Sequence, residues 1–282
     1  MDSGPWCACG ECGDPATESV DAFADLDTGA VDVAVRGCWG RRLWRQAFQA
    51  LSRCLAAHPT GLVIDLHHLG DRRAFSAPLW LTARAQGAGM QPPVPVLACL
   101  PASAPLAARL DRRETREHVP IFATTCHAHT ALTGRREPAD RLRLSLPPRC
   151  EVAAAAARQA VADVCRSWHL PRLAHLARLV VSELVANAVE HADPPIEVCL
   201  SRLGAASHSY GMHLAVYDAN PRIPARPRPD RTPPPSWDQR GMGLRVVDAA
   251  AFSWGALPTR TGKMVWATLH DRPNQMFSAG RA

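Results

Sequence analysis

The stretch Arg172–Ala192, RLAHLARLVVSELVANAVEHA, decides how the chain is read. At 3.6 residues per turn, Leu173, Leu176, Val180 and Leu184 line up as an apolar stripe, which makes the stretch a core-facing helix. Glu183 and Asn187 fall inside that stripe one turn apart, with His191 a further turn along. An unpaired buried amide costs about 1–3 kcal/mol and an unpaired buried charge several more. The helix places no cation beside the pair, so a bound ligand or metal is the expected partner. The plainer alternatives are an ordinary buried acid at 183 and a helix-end cap at His191.

Working outward, Leu142–Leu146 (LRLSL) alternates apolar and polar residues as a half-buried strand does. An alanine-rich helix is expected over about Glu151–Trp168, and Pro171 stands where the next helix begins. Beyond that helix, Ile196–Ser201 and Met212–Tyr217 are expected to pair as a hairpin, with Asp218 ending the second strand in VYDANP. The Pro- and Arg-rich segment Arg222–Arg240 excludes regular structure. Its arginines Arg226, Arg228, Arg231 and Arg240 are expected to face solvent. A Gly-x-Gly turn, RGMGL, then leads into a helix, and Ala251–Leu257 and Met264–His270 close the domain as strands. Lys263 is expected to be a surface charge at a strand end.

The chain has 282 residues, enough for two domains. In the first half, strands are expected at Val31–Val35, Leu62–Leu66, Pro95–Leu100 and Pro120–Thr124. Helices are expected at about Arg41–Ala57, Ser76–Gln86, Ala104–Arg112 and His127–Leu132. Such alternation indicates an α/β domain with helices covering a sheet. Residues 1–25 carry no clear periodicity and are read as a flexible leader, 134–140 as a charged linker and 272–282 as a tail.

Composition narrows the function classes. Hydrophobic residues make up 47% and charged residues 21%, typical of a globular protein. The net charge of +6 comes almost wholly from arginine, because Lys263 is the only lysine. No basic run alternates with aromatics, so nucleic-acid binding lacks support. No apolar run reaches a bilayer's thickness and no signal pattern opens the chain, so a cytoplasmic protein is expected, without membrane contact. The ten cysteines are then reduced residues. Cys7, Cys9 and Cys12, in CACGECG, could suit zinc, but no second paired cluster accompanies them and a mobile tail is the preferred reading.

ELVANAVEH, VYDANP, RGMGL and GKMVWATL, in that order, resemble the ATP-binding domain of the GHKL superfamily and, more narrowly, its anti-sigma-factor serine/threonine kinase branch. The resemblance covers about residues 140–271. It implies a two-layer α/β sandwich of Bergerat type over 141–271, an α+β domain, with ATP and magnesium as cofactors. In that frame Asn187 coordinates magnesium and Glu183 is the general base acting on a serine hydroxyl or water. Asp218 accepts a hydrogen bond from the adenine amino group, and Thr268 contacts the same region. Gly241, Met242, Gly243 and Leu244 form the phosphate turn, and Arg222–Arg240 the lid. VYDANP departs from the superfamily in lacking the glycines that follow the adenine-binding aspartate. No histidine-phosphotransfer motif or transducer domain is present, which disfavours a sensor kinase or a gyrase-type ATPase.

Residues 26–133 resemble the STAS, or anti-sigma-factor-antagonist, fold through their order of elements and LVIDLHHLGD. Signalling members of that family carry a phosphorylatable serine after this strand. Ser76 lies one or two positions late, so it is read as a helix N-cap, with phosphoacceptor as the sharper alternative. His67, His68 and Asp71 precede it as loop side chains that could bind metal. The implied function is a serine/threonine kinase that phosphorylates an antagonist protein and thereby regulates a sigma factor, with a homodimer as an implied state. The alternative is a catalytically weak, ATP-gated protein-binding module.

Overall fold

The computed structural model describes residues 18–111, 118–133, 141–147, 150–192, 194–206, 209–225 and 242–271. Cys7, Cys9, Cys12, the expected linker 134–140, residues 226–240 of the expected lid, Gly241 and the expected tail 272–282 lie outside them. The chain divides into two compact units, residues 1–137 with 257–260 and residues 138–256 with 261–282. Both are built from strands and helices, an N-terminal α/β unit and a C-terminal α/β sandwich, as the pattern of elements indicates.

The first unit opens with β1 (Ser19–Ala24), which pairs antiparallel with β2 (Val31–Cys38). This corrects the reading of residues 19–24 as part of a leader. An edge strand buried on one side only carries a weak periodic signal, and Phe23 on its outer face is exposed. Helix α1 (Arg41–Ala56) follows, burying Leu43, Ala47, Ala50, Leu51, Cys54 and Leu55 at helical spacing. Then come β3 (Leu62–Asp65), the short β4 (Leu69–Gly70), α2 (Ala77–Gly89), β5 (Val96–Cys99), α3 (Pro105–Leu110), β6 (Ile121–Phe122) and α4 (Thr125–Thr133). The sheet runs β1-β2-β3-β5-β6, with β4 beside β2, and every pairing after the first is parallel. Central parallel strands are covered on both faces, which is why LVID and VLAC are almost continuously buried. Burial also pushes the thiols of Cys54 and Cys99 up to about 12, so both are inert core residues.

Ser76 occupies the N-cap position of α2, yet its hydroxyl makes no cap hydrogen bond. It is 0% exposed, and its Oγ accepts a 2.9 Å hydrogen bond from the indole Nε1 of Trp80. Asp71 takes over the capping work: its carboxylate accepts from the amides of Phe75 and Ser76 at 2.9 and 2.8 Å. Neither sequence reading of Ser76 holds in this form, because the hydroxyl is committed to a tryptophan one turn away. A phosphoryl group there would need both a way in and room beside Trp80. Nor is the neighbouring loop a metal site: His67 bonds Asp65 Oδ1 at 2.6 Å and the carbonyl of Ala123 at 2.9 Å. The hydrogen bond to Asp65 raises the imidazole pKa, which favours a proton over a metal. No metal-ligating cluster of three or more groups occurs among the described residues.

The second unit comprises β7 (Arg141–Leu146), α5 (Cys150–Ser167), a 3-10 turn (Pro171–Leu173), α6 (Ala174–His191), β8 (Ile196–Ala206), β9 (Ser209–Asp218), α7 (Met242–Ala250), β10 (Ser253–Pro258) and β11 (Lys263–His270). Its sheet is ordered β10-β11-β9-β8-β7. Alternate residues of three strands, Val198 and Leu200, Leu214 and Val216, Val265 and Ala267, meet α5, α6 and α7 in one core. Helices α5 and α6 can approach closely because alanines, Ala153, Ala157, Ala177 and Ala188, fill the seam.

These contacts make Ser76 a packing residue. Ser76→Ala should cost about 1–2 kcal/mol through the orphaned Trp80 N–H, and Ser76→Asp several more by burying a charge. Urea denaturation measures both, and an Asp variant as stable as the parent would refute the assignment.

Candidate functional site

The site grows out of strand alternation. On β9, Leu214 and Val216 point into the core, and Asp218 continues their phase. On β11, Val265 and Ala267 do the same, and Lys263 continues theirs. The antiparallel register sets Lys263 directly opposite Asp218. The alternation that builds the core therefore delivers one acid and one base to its last rung, both on the helix side.

Lys263 is 2% exposed and Asp218 5%. Lys263 Nζ donates to Asp218 Oδ1 at 2.8 Å and to the carbonyl of Asn220 at 3.2 Å. Asp218 Oδ1 also accepts from the amide of Asn220 at 2.8 Å. Lys263 is thus a buried member of the site, which corrects its reading as a surface charge. Gly262 makes this possible: a Cβ there would lie 2.0 Å from the carbonyl oxygen of Asp218, so no side chain fits.

The same geometry accounts for the missing glycines of VYDANP. Asp218 caps the amide of Asn220, and Asn220 Oδ1 accepts from the amide of Arg222 at 2.9 Å. Two successive Asx turns bend the chain by side-chain hydrogen bonds, where glycine would do so by backbone freedom. Asn220 Nδ2 also donates to the carbonyl of His191, tying the C-terminal end of α6 to the end of β9. Sequence reasoning missed Asn220. The available signal was an Asn two residues after an Asp and just before a proline.

Asp218 Oδ2 is buried and has no hydrogen-bond partner among the described residues. A carboxylate oxygen without a donor is among the costlier defects a core can hold. It is an acceptor that the described residues leave unmet.

Thr268 is not part of this group. It lies in register with His213, five residues along β11 from Lys263, or roughly 16 Å at strand rise. It also alternates away from Ala267 and Leu269, which face the helices. The residue that reaches Asp218 from β11 is Lys263, and the register explains why: only position 263 pairs with 218.

Glu183 and Asn187 flank the buried face of α6 and do not lie within it. The buried positions are Ala177, Val180, Val181, Leu184, Val185 and Ala188, while Glu183, Asn187 and Leu176 are half-buried. At 100° per residue, the polar pair stands about 90–130° from the centre of that face. His191 is exposed at the helix end. The expected glycine turn does meet this flank: a Cβ on Gly243 would lie 2.7 Å from Glu183 Oε2. The first turn of α7 is therefore packed on the Glu183 carboxylate. Leu244 packs half-buried against the core, and Met242 opens the helix.

With this geometry in hand, comparison with known proteins is informative. Residues 146–269 match the family model of a histidine kinase-like ATPase domain. The matched span contains Glu183, Asn187, Asp218, Gly243 and Lys263. A solved anti-sigma factor antagonist from Mycobacterium paratuberculosis is similar at 22% identity and a TM-score of 0.32, over 43% of this chain and 97% of that one. No curated protein matches the chain. No helix among the described residues is long and apolar enough to cross a membrane.

Breaking a buried ion pair by removing one partner typically costs about 3–5 kcal/mol. Lys263→Ala and Asp218→Ala should each fall in that range by urea denaturation, and the double variant should lose less than their sum by about 2 kcal/mol or more. Additive losses would mean that the two groups are not coupled.

Proposed function

We propose that residues 141–271 bind ATP with magnesium and transfer its γ-phosphoryl group to a serine or threonine hydroxyl of an antagonist-type protein, so regulating a sigma factor. The observation that carries the nucleotide reading is the buried, unpaired Oδ2 of Asp218, inside a segment similar to histidine kinase-like ATPase domains. An acceptor-only oxygen suits the exocyclic amino group of adenine. Gly243, in the first turn of α7, lets a helix N-terminus come close to the Glu183 flank, and backbone amides of that kind are the donors phosphate oxygens accept from. Asn187, one helical turn from Glu183, offers an amide oxygen of the kind magnesium prefers. When bound, the metal would offset the charge of the phosphates.

In this reading Glu183 does the general-base work: its half-buried carboxylate takes the hydroxyl proton as the oxygen–phosphorus bond forms, and ADP departs as the bond to its β-phosphate oxygen breaks. The kinase subtype, the antagonist partner and the sigma factor rest on the motif resemblance described above, as does the STAS-like character of residues 26–133. A second reading, an ATP-gated binding module, is favoured by one observation: Ser76 is sealed against Trp80, so the N-terminal unit offers no accessible hydroxyl at that position.

Calorimetry with Mg-ATP, run beside phosphotransfer from labelled ATP to candidate antagonist proteins, tests both readings. Asn187→Ala should weaken Mg-ATP binding at least about tenfold. Glu183→Gln should keep ADP affinity within about threefold while transfer falls by about a hundredfold or more. Failure of the parent chain to bind Mg-ATP overturns the nucleotide reading. Binding with equal transfer by Glu183→Gln overturns the assigned base, and binding without transfer to any partner supports the module.

A further inference from the structure

The only lysine of the chain makes a buried contact with one of the two carboxylate oxygens of Asp218. Lys263 donates to Asp218 Oδ1, and the amide of Asn220 donates to the same oxygen, so Oδ1 is filled. Oδ2 receives no donor among the described residues. Lys263 therefore does two things to Asp218. It fixes the plane of the carboxylate by holding one oxygen, and it sets an opposite charge against a buried acid.

From this we infer that Lys263 sets the base selectivity of the nucleotide site, acting through Asp218 as a positioning residue; the inference rests on the ATP-site reading above. An ionised carboxylate is acceptor-only. Presented through Oδ2, it accepts from the 6-amino group of a 6-aminopurine and meets the carbonyl oxygen of a 6-oxopurine as acceptor against acceptor. Without the ammonium, Oδ1 keeps only the amide of Asn220 as a donor, and the carboxylate plane is no longer held. A carboxylate free to rotate no longer sets a fixed acceptor against the carbonyl oxygen of a 6-oxopurine, which is then no longer excluded. Selectivity for the amino group thus depends on a cation that need not touch the base.

The test measures ADP and IDP affinities by calorimetry on the full chain and on Lys263→Met and Lys263→Arg. The parent should prefer ADP by on the order of a hundredfold, as a buried unmatched acceptor implies. Lys263→Met should bring the two affinities within about tenfold of one another, and Lys263→Arg, which keeps the cation, should preserve most of the preference. Because the chain has one lysine, lysine-selective nitrogen-15 labelling yields a single Nζ resonance, and saturation with ADP should shift it. If the parent binds neither nucleotide, the ATP-site reading has failed. If it binds ADP and IDP equally, or if Lys263→Met keeps the full preference, the lysine inference has failed while the ATP site stands. Where Lys263→Met does not fold, an Nζ resonance unmoved by ADP, or an arginine variant without the preference, overturns it.

Discussion

The contact between Lys263 and Asp218 is the constraint around which one end of the second sheet is built. Two charges taken out of water are expensive, and their mutual attraction compensates only with good geometry and satisfied remaining valences. Each requirement leaves a mark on the chain. Gly262 has no side chain because the carbonyl of Asp218 occupies the space. Asn220 gives its amide to the acid and its carbonyl to the base, and its own side chain holds the end of α6. The strand end, the following turn and the neighbouring helix terminus are thereby locked to one carboxylate. That carboxylate is held on one side only.

Buried polar groups in this protein separate into those whose needs are met internally and those that are not. Ser76 belongs to the first kind: its amide has Asp71, its hydroxyl oxygen has Trp80, and the residue is fully buried. Asp218 belongs to the second, with one oxygen doubly served and the other unserved. Thr268 Oγ1 is also buried without a partner among the described residues, but a neutral hydroxyl carries a smaller penalty than a charged oxygen. It also lies away from the group that Asp218 gathers. Charge and convergence together, and not burial alone, distinguish a binding residue from a tolerated defect.

The order of elements was legible because it is written in local periodicity, and α6, the hairpin of β8 and β9 and the helix after RGMGL all form where their patterns indicate. What sequence did not disclose depends on partners from elsewhere in the chain. The strand Ser19–Ala24 is defined by β2, which it joins at an edge, and its own alternation is faint. Lys263 looked like a strand-end charge because strand ends are normally wet, and only the register with β9 shows that it faces Asp218. Thr268 comes from the resemblance, as the counterpart of the family's strand residue, and one step of strand phase turns such a carry-over to the opposite face. The role of Asn220 was readable in principle from local turn chemistry, since both Asx turns involve residues within two positions.

The flank position of Glu183 and Asn187 has a physical logic that the centre of the helix face would lack. At the centre, a carboxylate would need a permanent internal cation, as Asp218 has in Lys263, and would be closed to a reacting group. In full solvent, it would be screened and its orientation left free. On the flank, α6 holds both side chains one turn apart, and the glycine at 243 lets the first turn of α7 come against the Glu183 carboxylate. A carboxylate in that position is confined enough to be aimed. The two acids are thus set by opposite means: Asp218 is buried against a cation that fixes its orientation, and Glu183 is half-buried on the flank of α6.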